Sequence, residues 1–304
     1  MRNKKQNRKK NKANPAVCIL SALLVIGGLC VFCYPVVSNM LEEKNHTQAI
    51  ARYDDGMLAK TQAEISAEKQ KAVAYNENLA GDPVHDPFVP GSGYALPDNY
   101  LDVLNTGGDG VMGYIEIPKI SVKLPIYHGT AEETLEKGVG HIESTALPIG
   151  GEGNHPVLTG HTGLPTAELF TNLVTLSVGD EFYIHVLNET LAYRVCEINV
   201  AEPSELEKLQ AEEGRDLVTL VTCTPYGVNS HRLLVKGERT SYDPENGVQT
   251  ENRAGFYAKY KYYIIGIAIS FPILILIGVV TYLYSKRRSR KAEENGHGKE
   301  IKKE

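Results

Sequence analysis

Two stretches of this chain contain no charged residue, 16–37 and 262–284. At about 1.5 Å per helical residue, each is long enough to cross a hydrocarbon core about 30 Å thick. Between them the pattern changes three times. Residues 39–80 are polar and helix-prone. Apolar positions recur there at Ile50, Tyr53, Met57 and Leu58, then at Ile65 and Val73, which predicts one or two amphipathic helices. Residues 81–93 hold Asp82-Pro83, Asp86-Pro87-Phe88 and Val89-Pro90-Gly91. Proline restricts itself and its predecessor, so this strip reads as stiff and irregular. From Val111 onward short alternating runs begin. Strands are predicted over 112–118, 122–127, 156–159, 181–187, 191–200, 216–222 and 232–238, with Gly, Pro, Asn and Asp turns between them. That pattern suggests an antiparallel or mixed β-barrel. Short helices are expected over 132–137, 166–172 and 204–210, the last capped by Ser204 with Glu207 in the capping-box position.

Charge orients this plan. Seven Lys or Arg and no acid occupy the first twelve residues, and Lys286-Arg287-Arg288-Ser289-Arg290-Lys291 follows the second apolar run. Positive flanks stay in the cytoplasm, so both termini are expected inside a cell membrane crossed twice, with the middle of the chain outside. The first apolar core is longer than the about 7–15 residues of a signal peptide, and no clear small-x-small site follows it, so an uncleaved anchor is expected. The expected divisions are a basic tail (1–14), a membrane helix (15–38), a helical segment (39–80) and an irregular strip (81–93). A β domain (94–240), a linker (241–261), a second membrane helix (262–284) and a basic tail (285–304) follow. The overall net charge is −5, but residues 41–260 carry 16 basic and 33 acidic residues, a net of −17. So acidic a domain is a poor partner for nucleic acid or for anionic lipid.

Five cysteines are present. Cys18, Cys30 and Cys33 fall in the first apolar run and read as small buried hydrophobes. Cys196 alternates with Ile198 and Val200 and reads as a core residue. Cys223 ends the run Thr219-Leu220-Val221-Thr222-Cys223, and Arg232 follows nine residues later. Leu217, Thr219, Val221 and Cys223 share one face of a strand and Val218, Leu220 and Thr222 the other. Both faces are mostly apolar, so this strand is expected in the middle of the sheet, with the thiol at its end facing a loop. A return strand starting at Arg232 would bring a permanent cation to the same end, where it can favour the thiolate and bind an oxyanion. An imidazole would complete the set by moving a proton to and from an amine. Candidates are His161, in Leu158-Thr159-Gly160-His161-Thr162-Gly163, and His141, His155, His185 and His231. His231 neighbours Arg232 and should point the other way. His141 and His155 lie among glycines and read as surface groups. Thr222 is a candidate for oxyanion or substrate support, although a regular strand points it away from Cys223. No zinc-like cluster, EF-hand or phosphate loop is present, so no metal or cofactor is expected.

The five-residue run ending in Cys223, with Arg232 shortly after and Thr159-Gly160-His161 upstream, resembles the sortases, membrane-bound cysteine transpeptidases of Gram-positive bacteria. The resemblance covers about residues 110–240 and implies an eight-stranded closed β-barrel. It assigns Cys223 as nucleophile, His161 as general acid and base, and Arg232 as oxyanion donor. The second apolar run and Asp86-Pro87-Phe88 resemble class C, the pilin-polymerising sortases. In that class such a segment is a lid, which implies that Asp86 pairs with Arg232 and Phe88 covers Cys223. The implied substrates are pilins or surface proteins with an LPXTG-like sorting signal, cut between Thr and Gly, and the implied acceptor is a pilin Lys. A cell-wall-anchoring sortase using a peptidoglycan-precursor amine, a plain cysteine hydrolase and a non-catalytic membrane scaffold are the alternatives.

Overall fold

In a computed structural model the backbone is described for residues 15–79 and 99–243, with a few positions between 261 and 272. The chain divides into two compact units, one of Met1–Tyr34 with Arg253–Glu304 and the other Pro35–Asn252. The first described element is helix α1, Pro15–Leu58, with Pro35 inside it. Among the described residues no helix is long and apolar enough to cross a membrane. The spans expected at 15–38 and 262–284 therefore gain no support from the fold. In α1 the described side chains begin at Leu23 and the sequence turns charged at Glu42-Glu43-Lys44, while 262–284 is described at only a few positions.

Helix α2, Gln62–Glu77, starts at a capping box: Glu64 N–H donates to the Thr61 hydroxyl, and Thr61 N–H donates to the Glu64 carboxylate at 2.7 Å. This satisfies two of the orphan amide donors that every helix start leaves. Both helices join the hydrophobic core of the second unit through Ile50, Tyr53, Met57, Ile65, Ala72 and Tyr75. The i, i+3, i+7 spacing of Ile50, Tyr53 and Met57 follows from one helix face meeting the barrel. Two expected contacts do not form. Leu58 is 84% exposed at the end of α1, and Val73 is turned outward while Ala72 and Tyr75 point in. Tyr53 adds a polar tie, its phenol oxygen accepting from Leu187 N–H at 2.7 Å.

Eight strands among the described residues close into a barrel in the order β1-β2-β3-β4-β7-β8-β6-β5. They are β1 Val111–Ile117, β2 Val122–His128, β3 Val139–His141, β4 Val157–Thr159, β5 Glu181–Val186, β6 Glu189–Ala201, β7 Leu217–Thr224 and β8 His231–Thr240. Helix α3, Glu132–Leu135, connects β2 to β3. Two pairings are parallel, β2 with β3 and β4 with β7, so the barrel is mixed. Strand β3 has only three residues, Gly140 among them, and follows Gly138, too short for an alternating pattern to reveal it. The expected helices at 166–172 and 204–210 are instead 3-10 turns, Thr171–Thr175 and Pro203–Lys208. At the start of the second, the Glu205 carboxylate accepts from Glu202 N–H at 3.0 Å, while the Glu207 side chain of the expected capping box lies outside the described residues. Strand β7 is central, as its two apolar faces require: seven of its eight residues are buried between β4 and β8.

Candidate active site

Register places the thiol and the guanidinium together. Cys223 lies directly opposite Arg232 in the antiparallel β7–β8 pair. Opposed residues of such a pair project their side chains to the same face, with Cβ atoms about 4.5–5.5 Å apart. Both residues are buried, at 9% and 4% exposure. The guanidinium is fixed from the loop that joins the two strands, Arg232 Nη1 donating to Asn229 O at 3.1 Å and to His231 O at 3.2 Å.

The imidazole arrives from β4. That strand runs parallel to β7 with Thr159 paired to Val221, and Gly160 N–H extends the ladder by donating to Val221 O at 3.1 Å. His161 follows at the level of Cys223, where β4 ends. Its loop is short of freedom. Gly160 sits against the Phe170 ring, so close that a Cβ there would fall 2.9 Å from Cδ2. Phe170 N–H donates to His161 O at 3.1 Å, and Gly163 N–H donates to the Thr171 hydroxyl at 3.0 Å. Ala167, Leu169 and Phe170 bury the rest of the loop in the core. His161 itself is half-buried. Burial pushes its pKa below the ordinary histidine value, and the carboxylates of Glu132 and Glu136 at α3 oppose that shift.

The remaining expectations divide. Thr222 is buried and its hydroxyl donates to Gly160 O at 2.7 Å. The hydroxyl is committed to the backbone just before His161, so Thr222 braces the site instead of facing an oxyanion. His141 and His155 are buried, not surface groups. His141 Nε2–H donates to Ala146 O at 2.8 Å, and the Tyr100 hydroxyl donates to Nδ1 at 3.0 Å. A carbonyl can only accept, which fixes this tautomer. Burial and the neighbouring His128 hold the His141 pKa down at about 4. His155 Nδ1–H donates to Gln210 O at 2.8 Å and Nε2 accepts from the Thr219 hydroxyl at 2.7 Å, and its pKa is lowered by burial. His185 stacks on Tyr114 with ring centroids 4.3 Å apart, on strands far from β7 in the barrel order. His231 faces Thr224 across the ladder. Cys196 is half-buried at a β-bulge between Val195 and Glu197, its thiol donating to Lys236 O at 3.4 Å. Burial raises its pKa, which leaves it a poor nucleophile. Asp86, Pro87 and Phe88 lie outside the described residues.

Sequence reasoning missed Glu132 and Glu136, and Phe170. The i, i+4 spacing of the two acids on an expected helix was a signal that they share a face. Nothing in the sequence said that the face turns toward His161.

A sortase-domain family model matches residues 115–240, which spans β2 to β8 and all three side chains above. Sortase A of Bacillus anthracis is 30% identical over 153 residues, covering 50% of this chain and 70% of that protein. The chain belongs to the sortase family. It is a sortase-type cysteine transpeptidase, and its structural neighbours are class C sortases. Sortase C-1 from Actinomyces oris is 50% identical with a TM-score of 0.56, covering 59% of this chain and 99% of that one. Sortase C of Streptococcus pneumoniae is 42% identical with a TM-score of 0.59, covering 64% and 97%. This sortase therefore carries a closed eight-stranded barrel of the class C kind, with Cys223 and Arg232 opposed at one end of it.

Proposed function

We propose that this sortase joins pilin subunits, with Cys223 as nucleophile, His161 as general acid and base, and Arg232 as oxyanion donor. The observation that carries the reading is the opposition of Cys223 and Arg232 across β7–β8, with His161 delivered to the same level by β4. The Cys223 thiolate attacks the Thr carbonyl carbon of an LPXTG-like signal. Arg232 stabilises the oxyanion. The Thr–Gly C–N bond breaks as His161 protonates the departing Gly amine, leaving a thioester on Cys223. A Lys ε-amine of another subunit then attacks that thioester, His161 takes the amine proton, the C–S bond breaks, and an isopeptide bond remains. One amide replaces another, so no cofactor or external energy source enters. Two similar proteins point the same way: the structure of Streptococcus pneumoniae sortase C bears on pilin substrate specificity, and sortase C1 of GBS belongs to pilus island 1.

Regulation by a lid at Asp86-Pro87-Phe88 is part of the proposal. The described residues on either side of 80–98 are firmly anchored. Asn76 accepts from Leu147 N–H at 2.7 Å and donates to Leu147 O at 3.2 Å. Tyr100 bonds His141 and accepts from Gly129 N–H at 2.9 Å. Nineteen residues between such anchors can extend to about 60 Å. Two membrane spans, with both termini in the cytoplasm, complete the reading. Its support is the charge-free runs, their basic flanks, and the exposed Leu23, Ile26, Leu29 and Val31 on α1, apolar side chains on more than one face of the helix, unusual in water.

The test is product analysis by mass spectrometry with an LPXTG-type peptide and hydroxylamine, using wild type, Cys223→Ala and Asp86→Ala. A Thr-hydroxamate that requires Cys223 and increases in Asp86→Ala is expected. A yield unchanged by Asp86→Ala removes the lid and keeps the enzyme. A product formed equally by Cys223→Ala overturns the assignment of the nucleophile.

A further inference from the structure

Tyr226 stands three residues beyond Cys223, in the loop between β7 and β8, and is 70% exposed. A bare aromatic ring is common enough on a surface, but this one has a specific neighbour. A Cβ built on Gly163 would lie 3.1 Å from Tyr226 Cε2, 3.4 Å from Cζ and 3.5 Å from Cδ2. The ring therefore packs on the Gly163 backbone, two residues past His161. Gly163 also has φ +75°, so glycine is required there twice over, by backbone conformation and by the ring. The start of the His161 loop is held by Thr222 through Gly160 O, and its middle by Phe170 and Thr171. Tyr226 supports it from the Cys223 side. The loop carrying Tyr226 is itself tied down where Arg232 Nη1 donates to Asn229 O.

The two sides of Cys223 have different work. Arg232, on β8, serves the acyl oxygen. His161 serves the amine that leaves and the amine that enters. Tyr226 touches the His161 loop, so its exposed ring lies on the amine side. We propose that Tyr226, held against Gly163 beside His161, offers its open ring face to the acceptor Lys in the second half-reaction. A lysine presents an aliphatic stem and an ammonium head, and an aromatic face accommodates both. This deepens the proposed reaction and rests on it.

The test uses the full-length chain in detergent, an LPXTG-type peptide as acyl donor and a short Lys-containing peptide as acceptor. Wild type, Tyr226→Ala and Tyr226→Phe are compared for thioacyl-enzyme formation by intact mass spectrometry, for acceptor KM, and for the ratio of hydrolysed to joined product. In Tyr226→Ala the acceptor KM is expected to rise about tenfold and the hydrolysed share to grow, while thioacyl formation slows by no more than about threefold. Tyr226→Phe should behave as wild type, because the ring and not the hydroxyl makes the contact. An unchanged acceptor KM in Tyr226→Ala overturns the inference, and so does an equal fall in both half-reactions. If neither wild type nor Asp86→Ala forms a thioacyl-enzyme, the proposed reaction fails along with it. Normal acylation with an unmoved KM sinks the Tyr226 role alone.

Discussion

Strands β3, β4 and β7 carry the same side-chain chemistry at both ends, put to opposite uses. Where β4 and β7 end, His161 and Cys223 meet Arg232, half-buried or opposed across a ladder and reached by loops. Toward the other end, His141 and His155 are immersed, each with both ring nitrogens in hydrogen bonds to carbonyl or hydroxyl groups. The difference shows what separates a structural imidazole from a working one. Full burial penalises the imidazolium, and a saturated hydrogen-bond set fixes one tautomer, so His141 stays neutral throughout the physiological range. Partial burial with Glu132 and Glu136 nearby leaves His161 able to change charge. The cysteines repeat the contrast: Cys196 is held at a bulge with a raised pKa, while Cys223 faces a guanidinium-bearing strand.

The sharpest way to break the contrast is to remove each sulfur. Cys223→Ala should lower peptide turnover by about 10⁴-fold or more, whereas Cys196→Ala should leave turnover intact at a stability cost of about 1 kcal/mol. Steady-state cleavage assays and urea unfolding read the two effects. If Cys196→Ala also abolishes turnover, the division between the two thiols is wrong.

Exchanging the histidines should give opposite phenotypes. His161→Ala is expected to lose about 10²–10⁴-fold in turnover with little change in the unfolding midpoint. His141→Ala should destabilise the fold by about 2–4 kcal/mol, because Tyr100 and Ala146 O lose a buried partner. The pH dependence of stability follows from the same bonds. His141 titrates at about 4 when folded, against the ordinary 6.5, so the unfolded chain takes up the proton first as pH falls. Its contribution is present above pH 6.5 and lost between 6.5 and 4, on the order of 3 kcal/mol. Unfolding free energies at pH 7.5 and pH 4.5 should show this fall in wild type and a shallower one in His141→Gln. An identical slope in both would mean that the proton is taken up elsewhere.

Thr222→Val tests the brace between β7 and the His161 loop. It leaves Gly160 O without its 2.7 Å donor, a loss of about 1–3 kcal/mol, and turnover should fall with it. Thr222→Ser retains the hydroxyl and should restore both. The smallest expected effect is electrostatic. Glu132 and Glu136 raise the His161 pKa against burial. Replacing both by Gln should therefore move the acid limb of the pH–rate profile to lower pH, with the alkaline limb unmoved. A shift toward higher pH would contradict their placement.

Most of the strand runs, the central position of β7 and the Cys223–Arg232 register were legible, because each rests on spacing along one or two neighbouring segments. Alternation fixes which residues share a face, and the short connection between Cys223 and Arg232 leaves little choice but an antiparallel return. The short strand β3, the burial of His141 and His155, and the engagement of Thr222 were not legible. Glycine-rich surroundings suggest exposed loops, yet here they let strands and the 99–104 segment approach closely enough to bury polar rings, with partners drawn from distant positions such as Tyr100 and Thr219.

The sequence by itself determined the chemistry, since a thiol at a strand end, a fixed cation and an imidazole beside a glycine turn are choices of residue type and local spacing. Only the tertiary structure decided which imidazoles are immersed and which stands half-buried where β4 ends. Proton affinity and tautomer are set by burial and by the charges and carbonyls that surround a ring, and those come from segments that the barrel closure brings together across more than sixty residues of chain, as it does Gly160 and Thr222.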